Sequence, residues 1–193
     1  MVRPHRERLS GEVEIDETYI GGEKPGKRGR GAQGKTLVVI AAEKDNKGIG
    51  RIRMQIIPDA SAASLHPFVE ANIEPGSTLH IDGWRGYSGI DKKGYTLSVT
   101  VIKNSDQTGS ELMPRVHRVA SLLKRWLLGT HQGGVSPQHL SYYLDEFTFR
   151  FNRRKSRSRG LLFYRLVEQA MDVDPVPYKQ IAVSPTSRDL VEH

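Results

Sequence analysis

The sequence predicts an α/β domain in three layers, with a central mixed β-sheet flanked by helices. Two features carry that expectation. Three β-rich runs open the chain and two shorter ones follow a helical stretch, and from Pro114 onward the apolar residues switch to helical spacing. With 193 residues and 37% apolar side chains there is material for one sizeable core and a tail rather than for two full domains.

Val13, Ile15, Tyr19 and Ile20 within VEIDETYI mark the first strand. The stretch from Gly21 to Lys35, GGEKPGKRGRGAQGK, has too much glycine for regular structure and reads as a mobile basic loop. TLVVIAAE from Thr36 to Glu43 is an apolar second strand, DNKG at Asp45 to Gly48 a hairpin turn, and IGRIRMQII from Ile49 a third strand. The third alternates imperfectly, with Ile49, Ile52, Met54 and Ile56 set against Arg51, Arg53 and Gln55. These three strands are expected to form a meander.

SAASLHPFVEANI then offers Ser61 as an N-cap and Leu65, Phe68, Val69 and Ile73 at helical spacing, interrupted by Pro67, which leaves the first turn open. Strands follow at Thr78 to Ile81, ahead of the segment IDGWRGY, and at Thr96 to Ile102. Val116, Val119, Leu122, Leu123, Trp126 and Leu127 line one face of a helix that Gly129 should stop. Ser136-Pro137 should cap the next helix, running to about Arg154 with Leu140, Tyr143, Leu144, Phe147 and Phe151 on one face. A last helix is expected from Leu161 to Met171, and the remainder, with Pro175, Pro177 and Pro185, reads as an extended or disordered tail.

Composition excludes several classes. No apolar run is long enough to span a membrane, the N-terminus has no signal-peptide pattern, and there is no cysteine for disulfides, thiolate zinc sites or thiol nucleophiles. A cytoplasmic location follows by default. The net charge of +7 is unevenly placed: residues 103–165 carry 12 basic and 4 acidic side chains, whereas residues 1–102 carry 15 and 13. The densest stretch holds Arg150, Arg153, Arg154, Lys155, Arg157 and Arg159 beside Phe147, Phe149 and Phe151, the composition of a phosphate-binding surface. Its plainer alternative is a solvated helix end whose arginines complement the helix dipole.

Two carboxylates stand out. Asp16 lies inside an apolar strand, and Asp82 ends another immediately before Gly83. If these strands are neighbours the two side chains can converge, and paired carboxylates repel unless protonated or bridged by a hard divalent cation. The alternative is an exposed strand residue and a turn former. His117 and Lys124, seven residues apart on the helix after Pro114, share one face and could serve metal and phosphate, or be an ordinary exposed histidine and lysine.

Taken together, VEIDETYIGG, IDGWRGY, HRVASLLKRWLLGTHQG and HLSYYLDEFTFRFNRR resemble the ISXO-type (ISXO2-like) transposase domain of bacterial insertion sequences, from about Glu12 to Ala170. The resemblance implies a ribonuclease H-like fold and a DDE-type site holding two divalent metals, Mg²⁺ or Mn²⁺, for DNA strand cleavage and strand transfer. Carried over by motif, Asp16 and Asp82 are the first two metal ligands. The position seven residues before Lys124, often glutamate in the family, is here His117, so the implied ligand set is Asp16, Asp82 and His117, with Lys124 as the fourth catalytic residue. Glu111 does not fit that register. Histidine in place of a carboxylate should weaken attraction for Mg²⁺ and favour Mn²⁺.

DNA is then the expected partner, through transposon ends and target, with a homo-oligomer assembled on it. Lys24, Lys27, Arg28 and Arg30 of the glycine-rich loop, Arg118 and Arg125 beside Lys124, and the Arg150–Arg159 cluster are the candidate backbone contacts. Trp84, next to Asp82, could stack on a base or belong to the core. Residues 1–11 are expected to be an N-terminal remnant, 12–171 the catalytic domain and 172–193 the tail. The absence of the zinc-ribbon segment usual in relatives suggests a transposase without its end-recognition module; the alternative is a catalytically inactive DNA-binding remnant.

Overall fold

The computed structural model describes residues 6–21, 35–100, 112–131 and 135–178. Glu7–Lys155 form one compact unit, and the described residues outside it, Arg6 and Ser156–Tyr178, belong to a second. In the first unit the strands are β1 (Glu12–Ile20), β2 (Thr36–Asp45), β3 (Gly48–Ile57), β4 (Thr78–Ile81) and β5 (Thr96–Val99). The helices are α1 (Ala62–Asn72), α2 (Pro114–His131) and α3 (Leu140–Asn152), and α4 (Leu161–Met171) lies in the second unit. The sheet order is β3-β2-β1-β4-β5. β1 and β3 flank β2 antiparallel, while β4 pairs parallel with β1 and with β5. The sheet is therefore mixed, and β1 is its central strand.

Strand alternation sorts the core into two layers. Val13, Ile15, Leu37, Val39 and Ala41 pack with Leu65, Phe68 and Val69 of α1 on one side. Val38, Ile40, Ala42, Ile52 and Met54 pack on the other side with Val116, Val119 and Leu123 of α2 and Leu144 and Phe147 of α3. β2 is buried on both faces, which explains why its sequence reads as an unbroken apolar run rather than an alternation. The imperfect alternation of β3 has a cause in its pairing. A register shift between Ala42 and Lys44 opposes two steps of β2 to the three steps from Ile52 to Ile49, so Ile49 joins the face of Ile52 and Met54.

Several expected boundaries move. Pro67 does not interrupt α1; Pro67 and Ala63 are both exposed, so the proline removes one backbone hydrogen bond on the outer side of the helix. Ser61 is the N-cap residue but makes no side-chain cap bond, and Asp59 instead accepts from the Ser61 N–H and the Ser64 hydroxyl. Gly129 does not stop α2. The helix runs to His131, whose ring packs edge-on to Trp126 and against Tyr143, 4.2 Å between centroids, so the last turn is held by aromatic contact. Ser136 opens a turn rather than α3: its carbonyl accepts the His139 N–H, and regular helix begins at Leu140. The expected fifth strand ends at Val99, with Thr100 outside it, and residues 101–111, Glu111 included, lie outside the described residues. Among the described residues no helix is long and apolar enough to cross a membrane.

Candidate metal and phosphate site

The alternation that buries Val13 and Ile15 beneath α1 turns Glu14 and Asp16 to the opposite face, under α2. Parallel pairing matches Glu12, Val13 and Glu14 to Thr78, Leu79 and His80, and carrying this register two steps further sets Asp82 level with Asp16. Asp82 is the first residue beyond β4, and its Oδ1 accepts the backbone N–H of Trp84, 2.9 Å, which fixes the turn through Gly83 at φ +77°. The expected adjacency of the two strands is thus present, with Asp16 midway along β1 and Asp82 just past the end of β4.

A second tie joins the two sequence segments. The buried Tyr87 hydroxyl donates to Glu17 Oε1 at 2.6 Å. Burial pushes that phenol well above the ordinary tyrosine range, Glu17 adds to the effect, and Asp16 and Asp82 both contribute at longer range.

From α2, His117 faces Asp16: Nε2 lies 3.7 Å from Asp16 Oδ2. That nitrogen is buried and has no hydrogen-bond partner among the described residues. An open pocket of about 460 Å³ is lined by Asp16, Glu17, Thr18, His117, Ala120, Ser121 and Lys124. The seven-residue spacing of His117 and Lys124 does put both on one wall. The Lys124 ammonium is pushed below the ordinary lysine range by partial desolvation and by Lys35, with Asp16 opposing.

These residues fit a divalent metal in part. An orphaned imidazole nitrogen and a carboxylate oxygen 3.7 Å apart lie within reach of one ion bonded to each at about 2.0–2.2 Å, and the nitrogen/oxygen set suits Mn²⁺ better than Mg²⁺. Asp82 does not line the pocket, and among the described residues no three His, Asp or Glu side chains form a group ready to hold an ion. The structure brings together Asp16, His117 and Lys124, and brings Asp82 to the adjacent strand end.

Residues 8–152 match the ISXO2-like transposase domain. The chain belongs to the ISXO2-like transposase family. No curated protein matches it. Among solved structures, it is similar to a chain of the simian T-cell lymphotropic virus intasome, determined by cryo-electron microscopy with the PP2A regulatory subunit B56 gamma. The identity is 12% and the TM-score 0.50, over 96% of this chain and 63% of that one. A second similar structure is the Mos1 transposase paired-end complex with the left transposon end, at 12% identity and a TM-score of 0.43, over 81% of this chain and 55% of the other. The chain spans less than two thirds of either. The sheet order, the helices on both faces and the intasome likeness make this a ribonuclease H-like fold.

In this transposase domain the candidate DNA-binding cations fall into distinct environments. Arg118 and Arg125 are exposed on α2, each one residue, roughly 100° around the helix, beyond the pocket-lining His117 and Lys124. Arg150 pairs with Glu146 at 2.7 Å, and the Arg153 guanidinium lies 3.9 Å from the centre of the Phe149 ring. Arg154 donates to the carbonyls of Ile49, Gly50 and Phe151, and Lys155 pairs with Asp45 at 2.7 Å. Arg157 and Arg159 are exposed in the second unit. Lys24, Lys27, Arg28 and Arg30 lie outside the described residues. Trp84 has a partner in the core: its Nε1–H donates to the Ala60 carbonyl at 2.6 Å, and the ring packs against the α1-side cluster.

Sequence reasoning missed Glu14, Arg115 and the Glu17–Tyr87 bond. A signal for Glu14 was present: it sits two residues before Asp16 on the same strand face, between two core residues.

Proposed function

We propose that this chain carries out metal-dependent DNA strand cleavage and strand transfer, with Asp16, Asp82 and His117 as metal ligands and Lys124 as the phosphate contact. The observation that carries the reading is the convergence of Asp16 and His117, with an orphaned imidazole nitrogen, beside Lys124 in one open pocket. A bound divalent ion there supplies Lewis-acid activation of a water or hydroxyl nucleophile and neutralises charge on the phosphodiester. Asp16 on β1 and Asp82 just past the neighbouring β4 offer oxygen ligands, and His117 offers a neutral nitrogen. Lys124 presents a cation to a non-bridging phosphate oxygen and stabilises charge developing there.

In cleavage, water forms the new bond to phosphorus and the 3′ oxygen leaves, taking a proton to become a 3′-hydroxyl. In joining, that hydroxyl attacks a target phosphodiester and displaces the target's own 3′ oxygen, so the number of phosphodiester bonds is unchanged. No covalent protein intermediate is required.

The test is nicking of supercoiled plasmid by the full chain in Mn²⁺ and in Mg²⁺, alongside Asp16→Asn and His117→Glu. Asp16→Asn should abolish nicking in both metals. His117→Glu restores a third carboxylate and should move the preference from Mn²⁺ towards Mg²⁺. Wild-type protein that binds duplex DNA but neither nicks it nor binds Mn²⁺ would overturn the catalytic assignment in favour of a DNA-binding role. The lack of a ready three-ligand group among the described residues is the observation on that side.

A further inference from the structure

We infer that Glu14 is a positioning residue of this site: a buried carboxylate on β1 that fixes the first turn of α2 and thereby holds His117 opposite Asp16. The inference rests on reading Asp16 and His117 as a metal-binding pair. Glu14 is among the few buried charged residues among the described residues, with a side chain only 5% exposed. Its Oε2 accepts the backbone N–H groups of Arg115, 2.7 Å, and Val116, 2.9 Å, while Oε1 accepts from Arg115 Nη1, 2.7 Å. Two donors left open by the start of the helix are thus satisfied from a strand, and the negative charge meets both the helix N-terminus and a guanidinium. Arg115 is itself braced, its Nε–H donating to the Gly48 carbonyl at 3.0 Å.

Location gives this clamp its consequence. Glu14 is two residues from Asp16 on one strand face, and Val116 immediately precedes His117. Much of the remaining packing of α2 on the sheet comes from Val116, Val119, Leu123 and Leu127 against the apolar face that includes Val38 and Ile40. Apolar contact favours burial but is non-directional, so it permits a helix to slide or turn by a fraction of a residue. Three short, charge-assisted bonds do not. They set the rotation and height of α2 at the point where an error would carry His117 Nε2 away from Asp16.

The experiment compares full-length wild type, Glu14→Gln and Leu127→Ala, the last a core truncation near the far end of the same helix. Thermal unfolding gives the stability loss of each variant. Nuclear Overhauser contacts between the His117 ring and β1 protons are read in metal-free protein, and Mn²⁺ affinity is read by calorimetry. Glu14→Gln should abolish the ring contacts and weaken Mn²⁺ binding roughly tenfold, the low end for residues that orient ligands. Leu127→Ala should lower the unfolding temperature while keeping both. If Glu14→Gln does not fold, Arg115→Lys, which keeps a cation but breaks the fork, should shift both readouts in the same direction. Retained ring contacts in the folded Glu14 or Arg115 variant, or an equal effect in Leu127→Ala, would overturn the inference. Wild type that binds no Mn²⁺ would overturn the metal reading alone, and the ring contacts would still decide the role of Glu14.

Discussion

The cations at the C-terminal end of α3 and the cation midway along α2 belong to helices packed on the same face of the sheet, but they meet different partners. Arg154 inserts into the carbonyls of Ile49, Gly50 and Phe151 with its guanidinium 3.9 Å from the centre of the Phe151 ring, and Lys155 pairs with Asp45. Together with Arg115, which reaches Gly48 and Glu14, they fasten α2 and α3 to the β2–β3 hairpin. Lys124 instead borders an open pocket shared with a carboxylate and an imidazole. One group of cations has its anionic or carbonyl partners within the fold, whereas Lys124 faces an open pocket. Local charge density alone does not separate these two uses.

This contrast can be broken by substitution. Arg115→Ala should have the largest effect, because it leaves Glu14 buried without its guanidinium; breaking such a pair costs about 3 kcal/mol or more, read as a lowered midpoint in urea unfolding. Lys124→Ala should do the converse, lowering nicking about 100-fold, the usual loss for one transition-state donor, with the unfolding midpoint unchanged. If Lys124→Ala instead unfolds the protein and Arg115→Ala does not, the assignment of the two groups is reversed.

Arg154→Ala should destabilise by about 1–2 kcal/mol through the removal of its hydrogen bonds, without altering the salt dependence of DNA binding. The Arg118→Ala, Arg125→Ala double variant should leave stability alone and flatten that dependence, by roughly 0.9 in log-log slope for each phosphate no longer neutralised. A flattened slope in the Arg154 variant at unchanged stability would show that the anchored cluster also binds DNA.

The smallest effect belongs to Lys155→Ala. The hydrogen bond from Lys155, aided by its charge, holds the Asp45 carboxyl below the ordinary aspartate range. A depressed folded-state value means that this contribution is present above the unfolded-state pKa and lost as pH falls through the folded one. The variant should therefore differ slightly from wild type near neutrality and converge with it in acid, followed by thermal unfolding across pH.

How much of this was legible in the sequence depends on the range of the interaction. The apolar run of β2, the Asp45–Gly48 turn and the helical spacing after Pro114 are local patterns, and each became the expected element. The adjacency of the strands carrying Asp16 and Asp82 was an expectation from sequence, and β1 does pair with β4. Gly129 misled because the ring contacts of His131 override a weak local preference. Glu14 and Arg115 lie 101 positions apart, and Arg154 is 105 from Ile49, so their partners are set by the tertiary fold and not by neighbouring sequence.

The parallel pairing of β1 with β4 has a consequence for the order in which the site can assemble. β1, β2 and β3 form an antiparallel meander whose β2–β3 contacts close across a tight turn, whereas β4 reaches β1 only after the chain has crossed through α1. The contact between Glu14 and α2 closes a still longer loop. The entropy cost of closing long loops must be met before their contacts contribute, so these pairings are expected to form after the hairpin in refolding. Asp16 would then be in place early, while its two partners arrive with the last non-local contacts. Mn²⁺ binding during stopped-flow refolding should rise only in the slowest phase, later than the gain of sheet circular dichroism, making metal capture a reporter of finished folding.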